Sequence, residues 1–303
     1  MKIKKKTLDR LVIAFMIVIL AVGIAIMLYP TLSNYFNSRN QSKAITDYAK
    51  TVEKMDESER KKRLSGAQNY NKQLAELASP YDNYTSISGY DNFLDVSNTG
   101  IMGYVDIPKI NVSLPIYHST SPEVLNIAVG HLQGSSLPIG GKSTHSVISS
   151  HRGLPSSRLF TDIDKLVEDD TFTITVLNEV MTYTVDKITV INPHEFDELR
   201  VIPDGDYVTL MTCTPYGINT HRLLVRGRRI DNITESEVIR ITADAVEVDN
   251  MKFIGAISLP VVLLLFLYWT FSGKKQSQRT KKTIFTPKNT TTNERHGDQN
   301  DSH

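Results

Sequence analysis

The spacing of apolar positions changes along the chain, and each spacing predicts a different kind of element. Residues 11–29 (LVIAFMIVILAVGIAIMLY) run uncharged for 19 positions. At ~1.5 Å of rise per residue this is about 28 Å of helix, close to the ~30 Å hydrocarbon core of a bilayer. Residues 253–271 (FIGAISLPVVLLLFLYWTF) are equally free of charge, with Tyr268 and Trp269 placed like an interfacial belt and Pro260 as a tolerable kink. Both segments predict membrane spans. The first is longer than the apolar core of a signal peptide and lacks a following Ala-x-Ala site, so a retained anchor is expected. Between residues 39 and 78 the spacing becomes amphipathic, with Ile45, Tyr48, Val52, Met55, Leu74 and Leu77 at helical intervals. One or two helices are predicted there. Residues 79–100 are dense in Pro, Gly, Asn, Asp and Ser and read as a loop, with Tyr81, Tyr84, Tyr90 and Phe93 available to pack it down. From Gly100 onward short runs rich in Val, Ile, Thr and Tyr recur: IMGYVDIP, VSLPIYH, HSVISS, TFTITVL, MTYTVDKITVI, YVTLMTC and RLLVRGRRI. Seven or more such strands predict a closed barrel or a sandwich, with a hairpin turning near Asn178-Glu179.

Charge adds orientation. The formal net charge of +1 conceals two basic clusters. Lys2, Lys4, Lys5, Lys6 and Arg10 precede the first apolar run, and Lys274, Lys275, Arg279, Lys281 and Lys282 follow the second. The positive-inside bias puts both termini in the cytoplasm and residues 31–251 outside. A near-neutral total argues against a nucleic-acid partner. The polar tail 272–303 has almost no apolar content and is expected to be disordered.

The chain has one cysteine, Cys213, at the end of the run YVTLMTC and just before the turn Thr214-Pro215-Tyr216-Gly217. Extracytoplasmic cysteines normally pair as disulfides, and this one has no partner in the chain. A reactive thiol is the sharper reading, and Cys-rich metal sites are excluded by number. An ordinary thiol is only about 3% thiolate at pH 7, so a nucleophile needs a base or a cation nearby. His296 and His303 lie in the tail. Of the six other histidines, His151 is the best placed because it also stands where a strand ends, with His131 and His221 as rivals. Arg222 begins the strand RLLVRGRRI, which would return antiparallel beside Cys213. A guanidinium there can donate to a developing oxyanion.

TLMTC resembles the Thr-Leu-x-Thr-Cys signature of sortases, the membrane-bound cysteine transpeptidases of Gram-positive bacteria. TPYGINTHRLLVRGRR, SSHRGLP with LFTDIDKL after it, and GYVDIPKINVSLPIYHST are similar to the class C, pilus-building sortases. The resemblance implies a mostly β fold: an eight-stranded sortase barrel with an N-terminal helical appendage and two flanking transmembrane helices. The corresponding segments are a basic cytoplasmic terminus (1–10), a span (11–29), a helical region with a lid-like loop (30–99), the catalytic barrel (100–231), a linker (232–252), a second span (253–271) and the tail (272–303). It further implies Cys213 as nucleophile, His151 as general acid/base and Arg222 as the positioning or transition-state cation. Thr212 and Thr214, which flank the thiol, are expected at the substrate. No cofactor or metal is implied.

The implied reaction cleaves an LPxTG-like motif between Thr and Gly and joins the Thr to a lysine amine of another pilin subunit. A housekeeping wall-anchoring sortase, a hydrolytic cysteine protease and a non-enzymatic surface scaffold are the alternatives. Class C sortases often cover the site with an Asp-Pro-aromatic lid anchor. This chain has Ser79-Pro80-Tyr81, with Ser where the Asp would stand, so Pro80 and Tyr81 are the lid candidates and a loose or missing lid is expected.

Overall fold

The structure, a computed structural model, describes residues 5–232. The expected second span at 253–271 and the tail at 272–303 lie outside the described residues, as does the linker from residue 233 on.

Helix α1 (Lys5–Glu53) runs for 49 residues, so the first span and the first amphipathic segment are one element. No Gly or Pro interrupts residues 31–53 to stop it. Its apolar residues are open to the surroundings, Phe15 at 65% and Ile26 at 69% exposure. Among the described residues α1 is the helix long and apolar enough to cross a membrane. Beyond that stretch α1 turns one stripe inward. Tyr48 and Val52 are buried, and the Tyr48 Oη donates to the Met102 carbonyl at 2.9 Å while accepting from the Leu177 N–H at 3.0 Å. Asp56 opens α2 (Glu57–Ala75) by accepting the Glu59 N–H at 2.8 Å, satisfying one of the free donors of a helix start. Ala67, Tyr70, Asn71 and Leu74 bury the inner side of α2.

The strands are β1 (Ile101–Ile107), β2 (Val112–Tyr117), β3 (Val129–His131), β4 (Thr144–Ser149), β5 (Thr171–Val176), β6 (Glu179–Ile191), β7 (Asp206–Thr214) and β8 (His221–Ile230). They close into a barrel in the order β1-β2-β3-β4-β7-β8-β6-β5. Closure removes the exposed edges that an open sheet would leave. Seven of the strands coincide with the runs read from sequence, and β3, only three residues long, carries too little pattern to be legible. The β5–β6 hairpin turns one residue earlier than expected: Val176 pairs with Glu179. Leu177 and Asn178 both take positive φ, +51° and +65°, as a two-residue primed turn requires.

Alternation divides each strand between two faces. On β7, Leu210 points into the barrel core with Ile148 and Val225, all fully buried. Met211 points outward, into a second apolar cluster with Val147, Ile191, Leu199 and Leu224. The connection 192–205 closes over this outer patch. His145 ties it down: its Nδ1–H donates to the Arg200 carbonyl at 2.9 Å, and its Nε2 accepts from the Thr209 hydroxyl at 2.7 Å. The outer patch, not the barrel lumen, is where a cleft forms.

Candidate active site

Cys213 and Arg222 occupy directly opposed positions of the antiparallel pair β7–β8. Strand β4 runs parallel to β7 with Ser149 opposite Met211. The register continues past the strand end. The Ser150 N–H donates to the Met211 carbonyl at 3.2 Å, and the Thr212 hydroxyl donates to the Ser150 carbonyl at 2.8 Å. His151 is thereby carried level with Cys213. His151, Cys213 and Arg222 form a row across three adjacent strands, which stand about 4.8 Å apart in a sheet. All three line one cavity of about 290 Å³, walled by Leu132, Ile191, Pro193, Phe196, Leu199 and Met211 among others.

Burial separates the histidines that spacing alone left open. His131 is 0% exposed, its Nδ1 accepting from the Tyr90 Oη and its Nε2–H donating to the Ser136 carbonyl, each at 2.9 Å. Desolvation lowers its pKa to about 4, so it stays neutral and committed to the core. His221 lies on the exposed rim, with Nδ1 2.9 Å from the Thr220 hydroxyl. His151 is half-buried, and among the described residues nothing hydrogen-bonds to its ring. Desolvation lowers its pKa below the ordinary histidine value, which favours the neutral imidazole, able to accept the thiol proton. Cys213 is half-buried and free. Arg222 Nη1 donates to the carbonyls of Asn219 at 3.3 Å and His221 at 3.1 Å, which folds the guanidinium back over the β7–β8 turn.

Thr212 does not face the cleft. It is 1% exposed on the inner face, and its hydroxyl is spent on Ser150, so it holds the end of β4 against β7. Thr214 is half-buried, and neither threonine is among the residues lining the cavity.

Pro80 and Tyr81 lie in the short helix α3 (Pro80–Asn83). Tyr81 stacks on Phe196 with ring centroids 4.7 Å apart, and its Oη donates to the Leu199 carbonyl at 2.8 Å. Burial pushes its phenol pKa up. Gly134, at φ +90°, gives the room: a Cβ there would fall 2.7 Å from the Tyr81 Cα. This differs from the expected loose or missing segment. The tie comes from the phenol and the ring, so Ser79, whose side chain makes no cap hydrogen bond, is not needed for it. Tyr81 is held against the wall of the cleft and is not among the residues lining the cavity at Cys213.

The sequence reading missed the 192–205 wall, whose Pro193, Phe196 and Leu199 are scattered apolar residues in a polar loop. It also missed a contact between the loops that follow the two strand ends. Gly153 (φ +80°) lies against the Tyr216 ring, where a Cβ would come within 2.8 Å, and the Arg152 guanidinium stands 5.8 Å from that ring's centroid. Arg152 is itself paired with Asp164 at 2.5 Å.

In sequence and in its closed eight-stranded barrel the chain matches known proteins. The sortase domain family model matches residues 105–230. Sortase C1 from Streptococcus agalactiae is 49% identical in its crystal structure, with a TM-score of 0.58, over 63% of this chain and 100% of that one. A sortase C structure from Clostridium perfringens, solved with the C-terminal cell wall sorting motif, is 43% identical with a TM-score of 0.57, over 63% and 100%. Sortase A of Streptococcus agalactiae serotype III (strain NEM316) is 26% identical over 120 residues, 39% of this chain and 48% of that protein. The match therefore spans about half the length of that relative. The chain belongs to the sortase family, on its pilus-type, class C branch.

Proposed function

We propose that the protein is a class C sortase transpeptidase that polymerises pilin subunits carrying an LPxTG-like sorting motif. The observation that carries this reading is the row of His151, Cys213 and Arg222 in one apolar-walled cavity. The Cys213 thiol gives its proton to the neutral His151 imidazole as sulfur attacks the Thr carbonyl of the motif. The C–N bond to Gly breaks, and the His151 imidazolium passes the proton to the departing Gly amine, leaving a thioacyl enzyme. A lysine amine of the next subunit then attacks the thioester. The C–S bond breaks as the isopeptide C–N bond forms, and the amine's proton returns through His151 to the Cys213 sulfur. A thioester retains enough free energy to acylate an amine, which direct condensation in water would not. Arg222 serves the oxygen that becomes negative in both steps.

The family resemblance and the Clostridium perfringens structure, solved with the C-terminal cell wall sorting motif, support the substrate class. We assign Pro80 and Tyr81 to a lid segment, with Tyr81 docked on Phe196 and Leu199 of the 192–205 wall. We also propose that α1 and the 253–271 segment both cross the membrane, leaving residues 31–251 outside. In intact cells, protease added outside should then spare the 272–303 tail.

The acceptor is what separates transfer from hydrolysis. With an LPxTG-type peptide, the protein should yield an amide product when a lysine-bearing pilin fragment is supplied. Free acid as the product with and without that fragment would identify a thiol protease instead.

A further inference from the structure

Three amides on one stripe of α1 reach the segment that carries His151. Asn34, Asn37 and Gln41 stand at i, i+3 and i+7, and so share a helix face. The Asn34 Oδ1 accepts the Arg158 N–H at 2.8 Å. The Asn37 Nδ2 donates to the Ser156 carbonyl at 2.7 Å. The Gln41 Nε2 donates to the Ile127 carbonyl at 2.6 Å and lies 3.3 Å from the buried Ser157 hydroxyl. Residues 151–160 form no long regular element. They are braced by the bridge between Leu154 and Ser157 and by the Phe160 N–H, which donates back to the His151 carbonyl at 3.2 Å. A short chain of backbone contacts thus links the docked stripe to His151. These amides begin a few residues beyond the apolar stretch of the same uninterrupted helix.

We infer that the membrane-anchor helix positions the catalytic histidine, with Asn34 and Asn37 fixing the 156–158 backbone and through it the height and direction of His151 relative to Cys213. The inference rests on the reading of His151 as the acid/base. The requirement is strict, because a misplacement of about 1 Å at a reacting group can cost on the order of a hundredfold in rate. A tether with no catalytic part needs only apolar length. Here the two asparagines have opposite hydrogen-bonding duties on one loop, Asn34 accepting and Asn37 donating, and that asymmetry can be tested.

The full-length protein in detergent micelles, with an LPxTG-type peptide as probe, serves for the measurement. Asn34→Ala and Asn37→Ala should each lower kcat for thioacyl formation by tenfold or more, with KM within threefold of wild type. Asn34→Asp keeps the acceptor and should recover kcat to within about threefold. Asn37→Asp loses the donor, sets a carboxylate against the Ser156 carbonyl, and should recover nothing. Both Asp variants add the same charge one turn apart, so a general effect of charge or of the nearby membrane would treat them alike. Rescue at both positions or at neither, a loss confined to KM, or wild-type kcat in all four variants would overturn the inference. Melting temperatures are compared in parallel. Should an alanine variant melt early, the pair of Asp variants, which keep the side-chain volume, decides. His151→Ala separates the two levels. Activity in that variant would remove the reading of His151 itself, whereas its inactivity beside fully active asparagine variants would remove only the positioning role.

Discussion

Arg222 faces Cys213 across the β7–β8 pair, and only its Nη1 is engaged, by the Asn219 and His221 carbonyls. Its other N–H groups have no partner among the described residues, so they are available to a substrate oxygen. Arg222→Lys keeps the charge and loses the planar fork. If Arg222 acts as an oxyanion donor, the substitution should lower kcat by about 10²–10³, or ~3–4 kcal/mol. A Lys variant within threefold of wild type in steady-state transpeptidation would assign Arg222 to the solvated rim. At this scale the candidate thiol was legible, because Cys213 is the one cysteine in the sequence and ends a strand run. The choice of histidine was not legible from spacing. What retires His131 is a hydrogen bond from Tyr90, 41 residues away in sequence, and burial that no local pattern displays. Family resemblance pointed to His151, and in the structure its ring makes no hydrogen bond among the described residues while it lines the same cavity as Cys213.

Loops and strand ends, more than the strands themselves, decide where the cleft lies. His131 and His145 each fasten a connection to the sheet in their neutral forms, and desolvation lowers both pKa values to about 4, against an ordinary value of 6.5. Between those values the unfolded chain binds protons that the folded chain refuses. Stability therefore rises with pH from about 4 to 6.5 and gains nothing further from these groups above that. The combined effect is on the order of a few kcal/mol. The melting temperature should fall steadily as pH drops through this window, and a flat profile would show that neither histidine is held neutral. Periodicity found seven strands because alternating Val, Ile and Thr residues mark half-buried surface. The wall at 192–205 and the docking of Tyr81 on Phe196 escaped because they depend on contacts between segments distant in sequence, such as His145 with Arg200 and Tyr81 with Phe196.

One helix, α1, joins the apolar N-terminal stretch to the side of the barrel that holds His151, so that stretch and the barrel's flank are linked by a single element. The apolar run and the barrel strands were legible separately. Their junction was hidden in three polar residues, Asn34, Asn37 and Gln41, whose i, i+3, i+7 spacing reads as an ordinary solvated face until the 156–158 loop is placed against it. The whole account depends on the Cys213 sulfur forming a covalent bond to the sorting motif. The most direct measurement is intact-mass spectrometry of the full-length protein after incubation with an LPxTG-type peptide. The account predicts an adduct with the mass of the peptide truncated after Thr, located on Cys213, removed by hydroxylamine and absent in Cys213→Ala. No adduct on the wild-type protein while the peptide is cleaved, or the same adduct in Cys213→Ala, would contradict it.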